Sequence, residues 1–100
     1  MCSTPCFSLL IIYVGKEGDG MLDAVIVGTV IKSYREKKGL SQEVVSGFAD
    51  IGRTHLSAIE RGERKPTLET FYKICKAMEI KSSELLQTIE DEMKRNGTDV

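Results

Sequence analysis

Between Ser41 and Pro66 the chain gathers Ser41, Gln42, Arg53, Thr54, His55, Ser57, Arg61, Arg64 and Lys65, side chains built for selective hydrogen bonding. An arginine fork presents parallel N–H donors that match paired acceptors, whether phosphate oxygens or the N7/O6 edge of guanine. Hydroxyls and a carboxamide add short-range donors and acceptors. Covalent chemistry has little to build from. The chain holds one His, so a Ser-His-Asp set or a His-containing metal cluster has little to draw on. It lacks a Gly-rich phosphate loop, an HExxH and a CxxC. Glu90-Asp91-Glu92 reads as a solvated helix face rather than a metal site. Cys75 falls on an apolar helix face and reads as core; Cys2 and Cys6 fall near the N-terminus. Three cysteines, an odd number without a secretory signal, fit a reducing cytoplasm and no disulfide framework. No enzyme activity, metal or cofactor is expected.

The elements that must position these groups are two short helices and a turn. Ser41 can cap the first, its hydroxyl accepting from an orphaned backbone N–H. Val44, Val45 and Phe48 supply an apolar stripe at helical spacing. Asp50-Ile51-Gly52 breaks the pattern, because Asp and Gly favour turns and tolerate left-handed backbone. A second helix runs from about Arg53 to Arg61, with Leu56 and Ile59 turned inward and Arg53, Thr54, Ser57 and Ala58 outward. Gly62 then serves as a C-terminal cap. Two such helices at a steep angle form a helix-turn-helix, whose second member can enter a DNA major groove.

This stretch resembles the helix-turn-helix of the Cro/phage-repressor (XRE-type) family, and the likeness runs from about Val27 to Leu86. Gly39-Leu40-Ser41-Gln42-Glu43 resembles the family's G-L-S-Q-E entry to helix two. Ile59-Glu60-Arg61-Gly62, followed by Arg64 and Pro66, resembles its I-E-R-G-x-R-x-P exit from helix three, with no gap needed between the signatures. The resemblance implies an all-α, five-helix phage-repressor-like domain that binds double-stranded DNA. It also implies pairing of Arg35 with Glu60, locking helix one to the end of the recognition helix. Small restriction–modification controllers and prophage regulators share this compact form.

Position then assigns roles. Arg53, Thr54, Ser57 and Ala58 are expected at base edges, Arg53 opposite a guanine and Ala58 at most against a thymine methyl. Ser41, Gln42, His55, Arg61, Arg64 and Lys65 are expected at phosphates. For His55 a solvent-facing or partly packed ring is the competing reading, and for Arg64 and Lys65 a solvated loop. The family usually has glycine at Asp50 and a hydroxyl residue at Gly52; the second departure removes one hydroxyl contact.

The remaining chain supports the domain. Asp23 or a neighbour starts helix one, whose buried face is Val27, Val30, Ile31 and Tyr34. Thr67 caps helix four, with Leu68, Phe71, Ile74, Cys75 and Met78 near core spacing. Ser82 or Ser83 caps helix five, which carries Leu85, Leu86, Ile89 and Met93. The later members of that stripe are expected to outrun the domain's own core and form a homodimer interface, as in many family members. Residues 21–95 are thus the domain and 96–100 a frayed tail. Residues 1–20 stand apart, with three readings side by side: a disordered arm, a strand centred on the apolar run Phe7–Val14, or translated leader ahead of a natural start at Met21. The apolar run is too short to span a bilayer.

Charge is sorted along the 100-residue chain, whose net charge is −1. Residues 21–81 carry eleven Lys/Arg against eight Asp/Glu, and residues 82–100 carry two against five. That sorting is compatible with DNA binding and would not suggest it alone; the resemblance implies a cytoplasmic, sequence-specific transcriptional regulator binding a near-palindromic operator as a homodimer. RNA polymerase is a further partner in the activator case, with Glu60 and Glu63 as the candidate edge. The alternative is a protein-interaction module of the same fold, such as a toxin-binding antitoxin.

Overall fold

Helix boundaries in this protein follow the side chains able to satisfy unpaired backbone N–H groups. In the computed structural model, which describes residues 22–96, Asp23 accepts from the amides of Val25 and Ile26 at 2.8 and 3.2 Å and starts α1, Ala24–Lys37. Ser41 Oγ accepts from Val44 N at 3.1 Å and starts α2, Gln42–Ala49. Helix α3, Arg53–Glu60, begins after Gly52, which has no side chain to offer. Thr67 Oγ1 accepts from Thr70 N at 3.1 Å and starts α4, Leu68–Ala77. Helix α5, Ser82–Arg95, has Lys81 at its N-cap with no side-chain bond, so neither Ser82 nor Ser83 caps it as expected. All regular structure among the described residues is helical. The arm, strand and leader readings of residues 1–20 lie outside the described residues, as does the tail beyond Asn96.

The helices pack in a ring around one core. Helix α1 lies against α3 and α5, while α2 lies against α3 and α4, and α4 also meets α5. Ile31, Val45, Leu56, Ile59, Ile74 and Leu85 are fully buried at the common centre. Each such side chain contributes about 1.5–3 kcal/mol of hydrophobic stabilisation.

Three faces differ from the expectation. On α2 the buried residues are Val45, Ser46 and Ala49, and Phe48 is 77% exposed with Val44 also outside. Small residues at 46 and 49 let α2 approach its neighbours closely, and the buried Ser46 hydroxyl is satisfied by donating to Glu43 O at 3.2 Å. On α4, Leu68 is 84% exposed, because it stands at the helix start, a turn ahead of the core residues Phe71, Ile74 and Cys75. On α5, Leu85, Ile89 and Met93 are buried within the chain's own core, leaving only Leu86 of that stripe at the surface. The stripe does not outrun the domain. Helix α1 has 14 residues, as does α5, and packs along it. A Tyr34 Oη–Thr88 Oγ1 hydrogen bond of 2.8 Å joins the two.

Gly28 permits the α1–α3 crossing. A Cβ there would lie 2.2 Å from Ile59 O and 2.7 Å from Glu60 O, so only glycine fits without moving a backbone.

Candidate nucleic-acid interface

The foundation of the site is a buried charge pair. Arg35 Nε donates to Glu60 Oε2 at 2.7 Å and Nη2 donates to Oε1 at 3.0 Å, the parallel geometry of a strong guanidinium–carboxylate pair. Side-chain exposure is 10% for Arg35 and 2% for Glu60. Arg35 Nη1 also donates to Leu40 O at 2.8 Å, and Gln42 Nε2 donates to Glu60 Oε1 at 2.9 Å. One network thus ties α1, the α1–α2 loop, the head of α2 and the tail of α3. Hydrogen bonding to Glu60 raises the Arg35 pKa above its ordinary value, so the guanidinium stays charged despite burial.

On this base α3 presents Arg53 and Thr54 to solvent at its first two positions. Arg53 Nη1 reaches Gln42 Oε1 at 3.5 Å, a long contact that leaves most of its donors open. Because the Gln42 amide nitrogen is held by Glu60, its carbonyl oxygen is the end turned to Arg53. The structure therefore gives Gln42 an intramolecular partner for the donor that was expected to meet a phosphate.

Ser57 and His55 are half-buried. Ser57 Oγ accepts from Arg61 Nη1. Arg61 also donates from Nε and Nη2 to Glu63 at 2.9 and 3.0 Å, and this exposed pairing raises the Arg61 pKa and lowers that of Glu63. Arg64 and Lys65 are exposed on the following loop, and Ser41 is exposed while its oxygen caps α2.

Two expectations need correction. Ala58 is buried at 8% exposure rather than outward-facing, so its methyl is unavailable to a thymine. Helix α3 touches both α1 and α2, and the chain turns back behind it with Glu63 N donating to Ala58 O at 2.9 Å, so more than one stripe is covered. Glu60 is buried by its pairing with Arg35 and Gln42, which removes it from any edge offered to polymerase. Sequence reasoning also missed Glu63 as a partner of Arg61. The spacing of two residues across a positive-φ glycine, Gly62 at 81°, was the available signal.

Elsewhere, burial pushes the Cys75 thiol up to about 11, the behaviour of an inert core cysteine. Among the described residues no group of His, Cys, Asp or Glu could hold a metal ion, and no helix is long and apolar enough to cross a membrane.

Comparison with known proteins agrees with this architecture. Residues 31–85 match the helix-turn-helix family profile, and the chain belongs to that family, in its XRE-type branch. It is 33% identical over 66 residues to the HTH-type transcriptional regulator y4dJ of Sinorhizobium fredii, covering 66% of this chain and 86% of the relative. It is 41% identical over 66 residues to the control protein C.MunI of a Mycoplasma species, covering 65% of this chain and 89% of that one. Among solved structures, the restriction–modification controller C.AhdI of Aeromonas hydrophila superposes with a TM-score of 0.62 at 32% identity, over 65% of this chain and 98% of that one. Wild-type controller C.Esp1396I superposes with a TM-score of 0.67 at 29% identity, over 73% and 94%.

Proposed function

We propose that this protein is a sequence-specific transcriptional regulator that binds a near-palindromic operator as a homodimer. The observation that carries the reading is the exposure of Arg53 and Thr54 at the first two positions of α3, on a helix whose far end is clamped by the Arg35–Glu60 pair. A rigid helix with an open arginine fork at its N-terminal end suits insertion into a major groove and pairing with guanine N7 and O6. Ser57 is the next residue on the same face. Arg61, Arg64 and Lys65 follow at the far end and serve the phosphate backbone, with Ser41 and the head of α2 on the near side. Relatives described as transcriptional regulators and control proteins support the same role, which on this reading is carried out in the cytoplasm.

The dimer seat shares Leu86 and Ile89 with the α5 stripe but extends from there towards α4 and the start of the domain. Leu22, Leu68 and Leu86, all exposed, border an apolar cleft of about 260 Å³ together with Pro66 and Phe71. A second copy closing this cleft would bury side chains that one chain leaves in water. On a near-palindromic operator the two α3 helices of such a dimer would sit about one DNA turn apart, roughly 34–36 Å.

Fluorescence anisotropy against the DNA upstream of this protein's own gene, with scrambled DNA as control and over a salt series, tests the reading. Tight, selective binding with two chains per duplex is expected. Absence of binding even at low salt would overturn it in favour of a protein-interaction module, for which the exposed Val44 and Phe48 on α2 offer a surface.

A further inference from the structure

The Arg61 guanidinium is filled in a way that bears on DNA binding. It lies at the C-terminal end of α3, four residues after Ser57 and eight after Arg53, on the side of the helix that those two share. Its Nε and Nη2 hold both oxygens of Glu63, at 2.9 and 3.0 Å, and its Nη1 turns back to Ser57 Oγ. A phosphate offers an arginine the same pair of anionic oxygens that a carboxylate does. Glu63 therefore stands, in the free protein, in the place a backbone phosphate would take.

We propose that Glu63 is an intramolecular competitor for Arg61, lowering the protein's affinity for every DNA sequence alike and flattening its salt dependence. The inference rests on α3 being the DNA-reading helix. Both side chains are more than half exposed, 53% for Arg61 and 58% for Glu63, so the clasp is weak enough for DNA to displace. An exposed pair of this kind holds its partner by a factor of about 1.5 to 5. When DNA takes Arg61, the clasp with Glu63 must first open, and that opening is lost from the binding free energy. The competitor acts on a backbone contact, which carries no sequence information. Its effect thus falls equally on operator and non-operator DNA.

The test uses the full chain, with Glu63→Gln, Arg61→Gln and the double variant, titrated by anisotropy against upstream and scrambled duplexes over a salt series. Thermal melts confirm that each variant folds, as expected for exposed positions. Glu63→Gln should tighten binding to both duplexes about two- to fivefold at low salt, with the gain shrinking as rising salt screens the Arg61–Glu63 pair. In the Arg61→Gln background the same change should do much less, because there is no guanidinium to release. An equal gain in both backgrounds would mean simple charge repulsion by Glu63 and would overturn the proposal. So would unchanged affinity in Glu63→Gln while the wild-type chain binds its operator; that result would leave the DNA-binding reading standing. If the wild-type chain binds neither duplex at low salt, the reading of α3 falls and this proposal falls with it.

Discussion

Gly28 on α1 and Ile59 on α3 meet backbone to backbone: a Cβ on Gly28 would stand 2.2 Å from the Ile59 carbonyl oxygen. No flexible side chain can yield there, since the neighbouring Glu60 O lies at 2.7 Å from the same point. Gly28→Ala should therefore push α1 and α3 apart. Overpacking of this kind costs about 1–3 kcal/mol or more, against the usual gain of alanine over glycine in a helix. Urea denaturation should show a lower midpoint, and DNA affinity should fall with it because α3 moves. A midpoint equal to or above wild type would mean the crossing has slack that its geometry does not show.

The Arg35–Glu60 pair is a matched set rather than two independent contributions. Arg35→Met leaves a carboxylate that is 2% exposed with only Gln42 as donor. Stripping one partner from a buried pair costs about 3–5 kcal/mol. Adding Glu60→Leu should recover much of that loss, since the buried charge disappears with its partner. Equilibrium unfolding of the two single variants and the double variant gives the coupling directly; strict additivity would contradict the buried-network account.

How far sequence reading reached depends on whether the determinant is local. Ser41 and Thr67 are caps because their hydroxyls bond amides three residues on, and such chemistry is visible in a short window. The inward turn of Leu56 and Ile59 followed from spacing alone. Phe48, Ala58 and the α5 stripe did not, because their exposure is decided by which helices lie alongside. Phe48 and Val45 are both apolar and three apart, yet α2 buries Val45 with Ser46 and Ala49. In the site, Arg53 stands open as expected, whereas Gln42 and Arg61 hold intramolecular partners whose relevance only the assembled geometry displays.

That difference on α2 is measurable. Phe48→Ser removes the largest apolar side chain of the helix but one that is 77% exposed. Stability should change by no more than about 0.5 kcal/mol, as for ordinary surface positions. Leu56→Ala, at a fully buried position, should lose about 2–5 kcal/mol. Thermal or urea melts of the pair would reverse this orientation of α2 if Phe48→Ser proved the more damaging.

Among the described residues, two non-glycine residues occupy left-handed backbone, Asp50 and Glu79, each at φ 59°. Aspartate tolerates that region better than glutamate, because its short side chain can bond locally. Glycine substitution relieves the strain at a price in unfolded-state entropy. Glu79→Gly should accordingly gain stability, by up to about 1 kcal/mol, and Asp50→Gly should gain less. The ranking is the informative part, and matched denaturation curves would refute it if Asp50→Gly stabilised more.

Arg53 and Arg64 separate base reading from backbone holding. Arg53 begins α3 with an open fork beside Gln42 Oε1, whereas Arg64 lies on the exposed loop after the helix. Arg53→Ala should cost about 1–3 kcal/mol of operator binding and relax the preference at one base pair of each half-site. Arg64→Ala should weaken operator and scrambled DNA by the same factor and reduce the salt slope by about one. Binding-site selection with each variant, at two salt concentrations, reads both effects at once. If Arg53→Ala lost affinity without any change in the selected sequence, Arg53 would be a phosphate contact, and base recognition would have to rest on Thr54 and Ser57, its exposed and half-buried neighbours on α3.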